Sequence, residues 1–220
     1  MKNENKKKSL ILAIVVVVIT IAVVSGGTYA YWLWTSQSTT AVSFTVGGGT
    51  MTINGGGNIS SKTLAPAACT NTTYAIQRKV KVDASNETAT AMTATIGLNV
   101  SALTATHNTS QLNSKKSNIK YALVEINSTK YAATSTWDGC TTTVANGDFG
   151  SYSTGNTITL LNNISVPAAS GSTAGTVTKY YELYIWIDSA YEATTTGTTI
   201  TDPLQDLTLN LAWTGSMTQS

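Results

Sequence analysis

Charged side chains are scarce in this chain: Asp, Glu, Lys and Arg make up 11% of its 220 residues, against about a quarter in ordinary soluble domains. Of thirteen basic and eleven acidic groups, Lys2, Lys6, Lys7, Lys8 and Glu4 fall in the first thirty residues, which leaves nine and ten beyond them. The formal charge of +2 therefore belongs to the N-terminus, and the rest of the chain is close to neutral. No basic stripe is left to neutralise phosphates, which excludes a nucleic-acid partner. Weak repulsion between copies is compatible with self-assembly.

Histidine is scarcer still. His107 stands alone in the polar stretch TATHNTS and reads as a solvated loop residue. Without a second histidine, and with no HExxH, GxSxG or phosphate-loop pattern, the chain lacks the material for a His-based zinc site or a familiar triad. Glu182 and Asp188 lie on or beside one strand and are the obvious carboxylate pair for glycosidase chemistry, but charges at that density occur in ordinary sandwich strands. Asp138, Gly139, Asn146, Gly147 and Asp148 place oxygens in loops without satisfying a calcium-loop pattern, and read as turn formers. The chain is read as no enzyme, with no cofactor and no metal. Seven Asn-x-Ser/Thr sequons, among them Asn86 and Asn99, arise readily in a chain so rich in Thr and Asn.

Long apolar runs are confined to one place. Lys6, Lys7 and Lys8 precede Leu10 to Val24, apolar apart from Thr20, in the length and order of a secretory signal. As a helix those residues span about 22 Å, short of the ~30 Å hydrocarbon core of a bilayer. The uncharged run continues through Tyr29, Tyr31, Trp32 and Trp34, so a tilted membrane helix with an aromatic belt is the alternative. Thr28-Tyr29-Ala30 offers small residues where a signal peptidase inspects the chain, which places cleavage between Ala30 and Tyr31. Both readings make an exported protein, extracellular or on the cell surface, membrane-anchored through its N-terminal helix if the leader stays.

Beyond the leader there is no convincing 3.6-residue apolar periodicity; β-branched and aromatic residues alternate with polar ones between Gly, Asn and Ser clusters. Strands are expected at 42–46, before a turn at Gly47 to Gly49, and at 51–53, 75–82, 94–100, 119–126, 158–164, 178–187 and 206–213. In TKYYELYIWI both faces are suited to burial, which marks a central strand. Ser101 to Asn118 is expected to be a polar loop or frayed edge, and Ser189 to Thr194 a single helical turn. The expected fold is all-β, a single β-sandwich of jelly-roll or Ig-like type preceded by an N-terminal signal or transmembrane helix. The divisions are 1–30 for the leader, 31–47 for an N-terminal strand and 48–220 for the sandwich. Cys69 and Cys140 are a candidate disulfide in an oxidising compartment, small buried thiols being the alternative.

The segment GGTYAYWLWTSQSTTAVSFTVGG resembles the N-terminal region of the TasA and camelysin family of exported proteins, processed by a SipW-type signal peptidase. Gly27, Thr28, Tyr29 and Ala30 match the cleavage region, and Phe44 to Gly47 the Phe-x-x-Gly strand that follows. The resemblance implies a jelly-roll subunit of an extracellular biofilm matrix fibre, in which an N-terminal strand completes the sheet of a neighbour. Here the donor is Tyr31 to Val46, with Val42, Phe44 and Val46 as its inserted face. The second functional reading is a membrane-anchored adhesion or ligand-binding domain that forms no polymer.

Overall fold

Apolar–polar alternation resolves into two antiparallel sheets that share one core. The computed structural model describes residues 34–36, 41–55, 57, 59–61, 64, 66–69, 74–105, 109–133, 139–191, 194–196, 199–201, 204 and 207–219. In chain order its strands are β1 (Trp34–Ser36), β2 (Val42–Val46), β3 (Gly49–Asn54), β4 (Ile59–Ser61), β5 (Pro66–Ala67), β6 (Ile76–Asn86) and β7 (Met92–Ala105). Helix α1 (Thr109–Lys115) and a 3-10 turn (Lys116–Asn118) lead to β8 (Ile119–Ile126). Then follow helix α2 (Ser128–Ala132), β9 (Thr143–Asp148), β10 (Thr157–Val166), β11 (Gly175–Asp188), β12 (Thr194–Thr196), β13 (Thr199–Thr201) and β14 (Leu207–Gln219).

The smaller sheet runs β1-β4-β14-β7-β10 and the larger β2-β3-β6-β11-β8-β9, with β5 lying parallel to the end of β11; β12 and β13 form a separate hairpin. The facing side chains alternate as a period of two demands. Val80 and Val82 of β6, Leu183 and Ile185 of β11 and Leu123 of β8 meet Ile96 and Leu98 of β7, Ile158 of β10 and Leu211 and Trp213 of β14 in one buried cluster. Strand β11 is central: it pairs with β6 along one edge and β8 along the other, and residues 181–185 are buried without a break. Burial on both faces produces that continuous run.

At one flank β14 packs beside β2 and β3, and at the opposite flank β10 packs beside β9. A two-residue turn joins β2 to β3, with Gly47 at φ 51° and Gly48 at φ 85°, the left-handed pair that matches the twist of a tight hairpin. Gly215 of β14 leaves room for its neighbours, since a Cβ there would displace the Met51 methyl end and come within 3.0 Å of the Phe44 ring. Asn86, buried at the end of β6, fastens the neighbouring loops: its Nδ2 donates to the Thr90 and Pro167 carbonyls at 2.8 and 2.9 Å, and its Oδ1 accepts from Thr88 N and Oγ1.

Two expectations fail. In its described residues the polar stretch 101–118 is not a loop: β7 continues to Ala105, and α1 and the 3-10 turn occupy 109–118. Leu103, Ala105 and Leu112 supply buried contacts spaced too widely to register as a periodic signal. Lys116, 7% exposed, donates from Nζ to the Tyr152 carbonyl at 2.6 Å. Ser189–Ala190 is a turn, capped by Asp188 Oδ1 on Ala190 N at 3.0 Å, and by Thr194 the chain is already a strand. His107, Asp138, the Ala30–Tyr31 bond and the expected leader helix lie outside the described residues. Among those described, no helix is long and apolar enough to cross a membrane.

Candidate functional site

The N-terminal segment ends up on the edges of both sheets. Strand β2 is the edge of the larger one, registered Val42↔Ile53, Phe44↔Met51 and Val46↔Gly49 on β3 of its own chain. Val42 and Phe44 are half-buried, and Phe44 joins the main core. Strand β1 is the edge of the smaller sheet. It meets β4 at Trp34↔Ser61 and Ser36↔Ile59, and β4 meets β14 at the one position Leu211↔Ile59. By contrast, β14 pairs with β7 along its whole length, from Leu207↔Ala105 to Gln219↔Met92. Among the described residues the β1–β4 flap is laddered to β14 at Leu211↔Ile59 alone, with Ile59 fully buried in the main core, whereas β14 is laddered throughout to β7. The other edge strand, β10, is blunted by register shifts between Thr159 and Leu161 and between Leu161 and Ile164, the kind of irregularity that discourages unwanted pairing.

A second built region covers the outer face of the larger sheet. Glu182 of β11 is fully buried there, directly opposite Lys79 of β6 in the register. Lys79 Nζ lies 3.5 Å from Glu182 Oε1 and donates to the Lys130 and Ala133 carbonyls at 2.7 and 2.5 Å. Those carbonyls belong to the C-terminal end of α2, where a cation also complements the helix dipole. The other end of α2 is capped by Asn127, whose Oδ1 accepts from Lys130 N at 2.9 Å, the usual N-cap arrangement. Tyr184 O–H donates to Glu182 Oε2 at 2.6 Å, and its oxygen accepts from Gly139 N at 2.9 Å.

This polar chain sets down the loop that carries Cys140. Cys69 and Cys140 are joined as a disulfide, their Cα atoms 5.8 Å apart and 71 residues apart in sequence. Closing such a loop stabilises a fold by ~4 kcal/mol in the chain-entropy account. Around the bridge, Val124, Ile126 and Tyr184 form a small second core with Tyr131, Tyr180 and Trp186 against it. The Tyr131 and Tyr180 rings sit 5.2 Å apart. Sequence reasoning marked the two cysteines and Glu182 separately; that Lys79 and Tyr184 belong with them follows from their shared face, which the alternation in β6 and β11 could have revealed.

Glu182 and Asp188 are not brought together. Six residues apart on one extended strand they are separated by about 20 Å, and each is occupied, Glu182 by Lys79 and Tyr184, Asp188 by the Ala190 amide. Asn146, Gly147 and Asp148, read from the sequence as turn formers, instead lie in β9, laddered to β8. Asn146 Nδ2 donates to Thr143 Oγ1 within the strand at 3.0 Å, and Asp148 Oδ1, at the strand's end, accepts from Gly150 N at 2.8 Å. Burial pushes the Tyr121 hydroxyl, beside Tyr152 and Asp148, up to about 12. The Arg78 guanidinium, on the inner face of β6, is lowered by the same cause. Comparison of the chain with family models, curated proteins and solved structures gives no significant match.

Proposed function

We propose that this chain is a non-enzymatic bacterial surface or matrix subunit, exported behind a signal helix cleaved between Ala30 and Tyr31, whose jelly-roll or Ig-like sandwich assembles into fibres by exchanging its N-terminal strand. The observation that carries the reading is the position of β1 and β2, the first described segments of the chain, on the edges of both sheets, with a two-glycine turn joining β2 to β3. In the exchange, β2 of one copy replaces β2 on β3 of the next in the same register, and Gly47–Gly48 straightens. The ladder bonds and the Phe44 packing over Gly215 are remade in the neighbour rather than lost. Backbone pairing gives the affinity and the alternate apolar side chains fix the register. A non-reciprocal exchange is head-to-tail, and where its rotation does not close into a ring it propagates as a filament. The resemblance to the TasA and camelysin family supports the same reading.

The test has two readouts on the natural product. Mapping its N-terminus is expected to find Tyr31 as the first residue, and a chain beginning at Tyr31 is expected to form filaments visible by negative-stain electron microscopy. Intact Met1 in washed membranes, with no released form, contradicts the proposal and favours the second reading, an anchored adhesion or ligand-binding domain. A half-buried tryptophan beside an open groove on the outer face favours that second reading.

A further inference from the structure

The same outer face carries a groove that strand exchange does not use. The cross-strand register sets Trp186 of β11, Lys120 of β8 and Asp148 of β9 in one row, and Tyr184, Ala122 and Asn146 in the next. Ala122 is itself covered, 1% exposed, and the open space lies between the indole and the polar side chains of β9. The result is a groove of about 480 Å³, with Asp188 at one end and Cys140 at the other. That volume lies within the ~300–1,000 Å³ usual for small-molecule sites, in which a few placed polar groups orient a ligand against an apolar wall.

Its chemistry is specific in kind. Trp186 is half-buried against the second core, so the ring is held in place while part of it faces the groove. Lys120 Nζ stands 3.5 Å from Asp148 Oδ2, with side chains 29% and 39% exposed, an ion pair loose enough to admit hydroxyls between donor and acceptor. A carboxylate accepts from one hydroxyl of a vicinal pair while the ammonium donates to the other. Asn146, exposed on the groove wall, adds an amide that can do both. One lysine set against two carboxylates offers neither a strongly cationic nor a strongly anionic site. An apolar ring face beside paired donors and acceptors, with little net charge, suits a ligand with an apolar C–H face and a rim of hydroxyls.

We infer that this groove binds a neutral hexose polysaccharide, one or two sugar rings at a time, with Trp186 as the platform and Asp148, Lys120 and Asn146 gripping the hydroxyls. The inference does not depend on fibre formation, because none of these residues lies on β1 to β4. The test is native affinity electrophoresis of the exported chain through gels containing dextran, galactomannan, yeast mannan or hydroxyethylcellulose, with dextran sulfate as the charged comparison. Retardation is expected in at least one neutral gel. Trp186→Ala and Asp148→Ala should weaken it by about tenfold or more, the effect of losing an anchoring contact, and Trp186→Phe should recover most of it. If Trp186→Ala does not fold, Asn146→Ala, at an exposed position, takes its place and should weaken retardation in the same gel. No retardation in any of the four neutral gels overturns the inference. So does retardation by dextran sulfate alone, or retardation that survives every folded variant unchanged.

Discussion

A single buried carboxylate decides how the outer face is organised. Glu182 is fully buried between Lys79 and Tyr184, and a buried charge is tolerable only while its partners are in place. Glu182→Ala is expected to cost about 3–5 kcal/mol, because it leaves the Lys79 ammonium without its counter-charge, whereas Lys79→Met combined with Glu182→Leu should recover most of that loss. Chemical denaturation of the three chains with the disulfide intact checks the pattern; equal destabilisation by the single and double changes would show that the pair does not act as a unit. In sequence, Glu182 was visible as a charge on a strong strand and Asp188 as its neighbour. Their spacing, about 20 Å along an extended strand, argues against a shared site but cannot tell a catalytic carboxylate from a structural one. What separated the two was the cross-strand residue Lys79, 103 positions earlier in the chain, which only the β6–β11 register brings alongside.

At the level of elements, the strands with regular alternation were legible: β8 spans 119–126 as its pattern indicates, and β11 is central as its two apolar faces require. Strand ends were less so, since β6, β7 and β14 run on through Thr, Ser and Asn, among which the buried Ala84, Met92, Leu103, Ala105 and Met217 stand too far apart to read as a pattern. Helix α1 was missed because it is seven residues long, too short for a contact such as buried Leu112 to show as periodicity. The turn after β2 was legible as glycine, its left-handed backbone only in the structure. Gly47 has φ 51° with open space around its absent Cβ, so a side chain there acts through the backbone alone. Gly47→Val is expected to weaken the hairpin by about 1–2 kcal/mol, the cost of a β-carbon in left-handed backbone. It should lower the midpoint of thermal unfolding and shorten the lag before filaments appear. A longer lag would mean that the closed hairpin, rather than the opened turn, is the form that assembles.

The whole molecule is a two-sheet body whose two flanks differ. One carries the N-terminal strands and the thin β1–β4 flap; the other carries β9 and the bulged β10. A near-neutral surface opposes association only weakly, and exchange of an identical element makes no new kind of contact. The outer face is closed by the Cys69–Cys140 bridge and stays unchanged whether or not strands are exchanged, which leaves the Trp186 groove displayed along any fibre that forms. The most direct measurement of the assembly uses Ser43 and Thr52, in register across β2 and β3 with their hydroxyls 3.2 Å apart. Ser43→Cys with Thr52→Cys, oxidised after filaments have formed and run on a non-reducing denaturing gel, places a covalent bond wherever β2 meets β3. Strand exchange predicts a ladder of covalent oligomers that collapses to monomer on reduction; monomer alone, from filaments that are present, contradicts it.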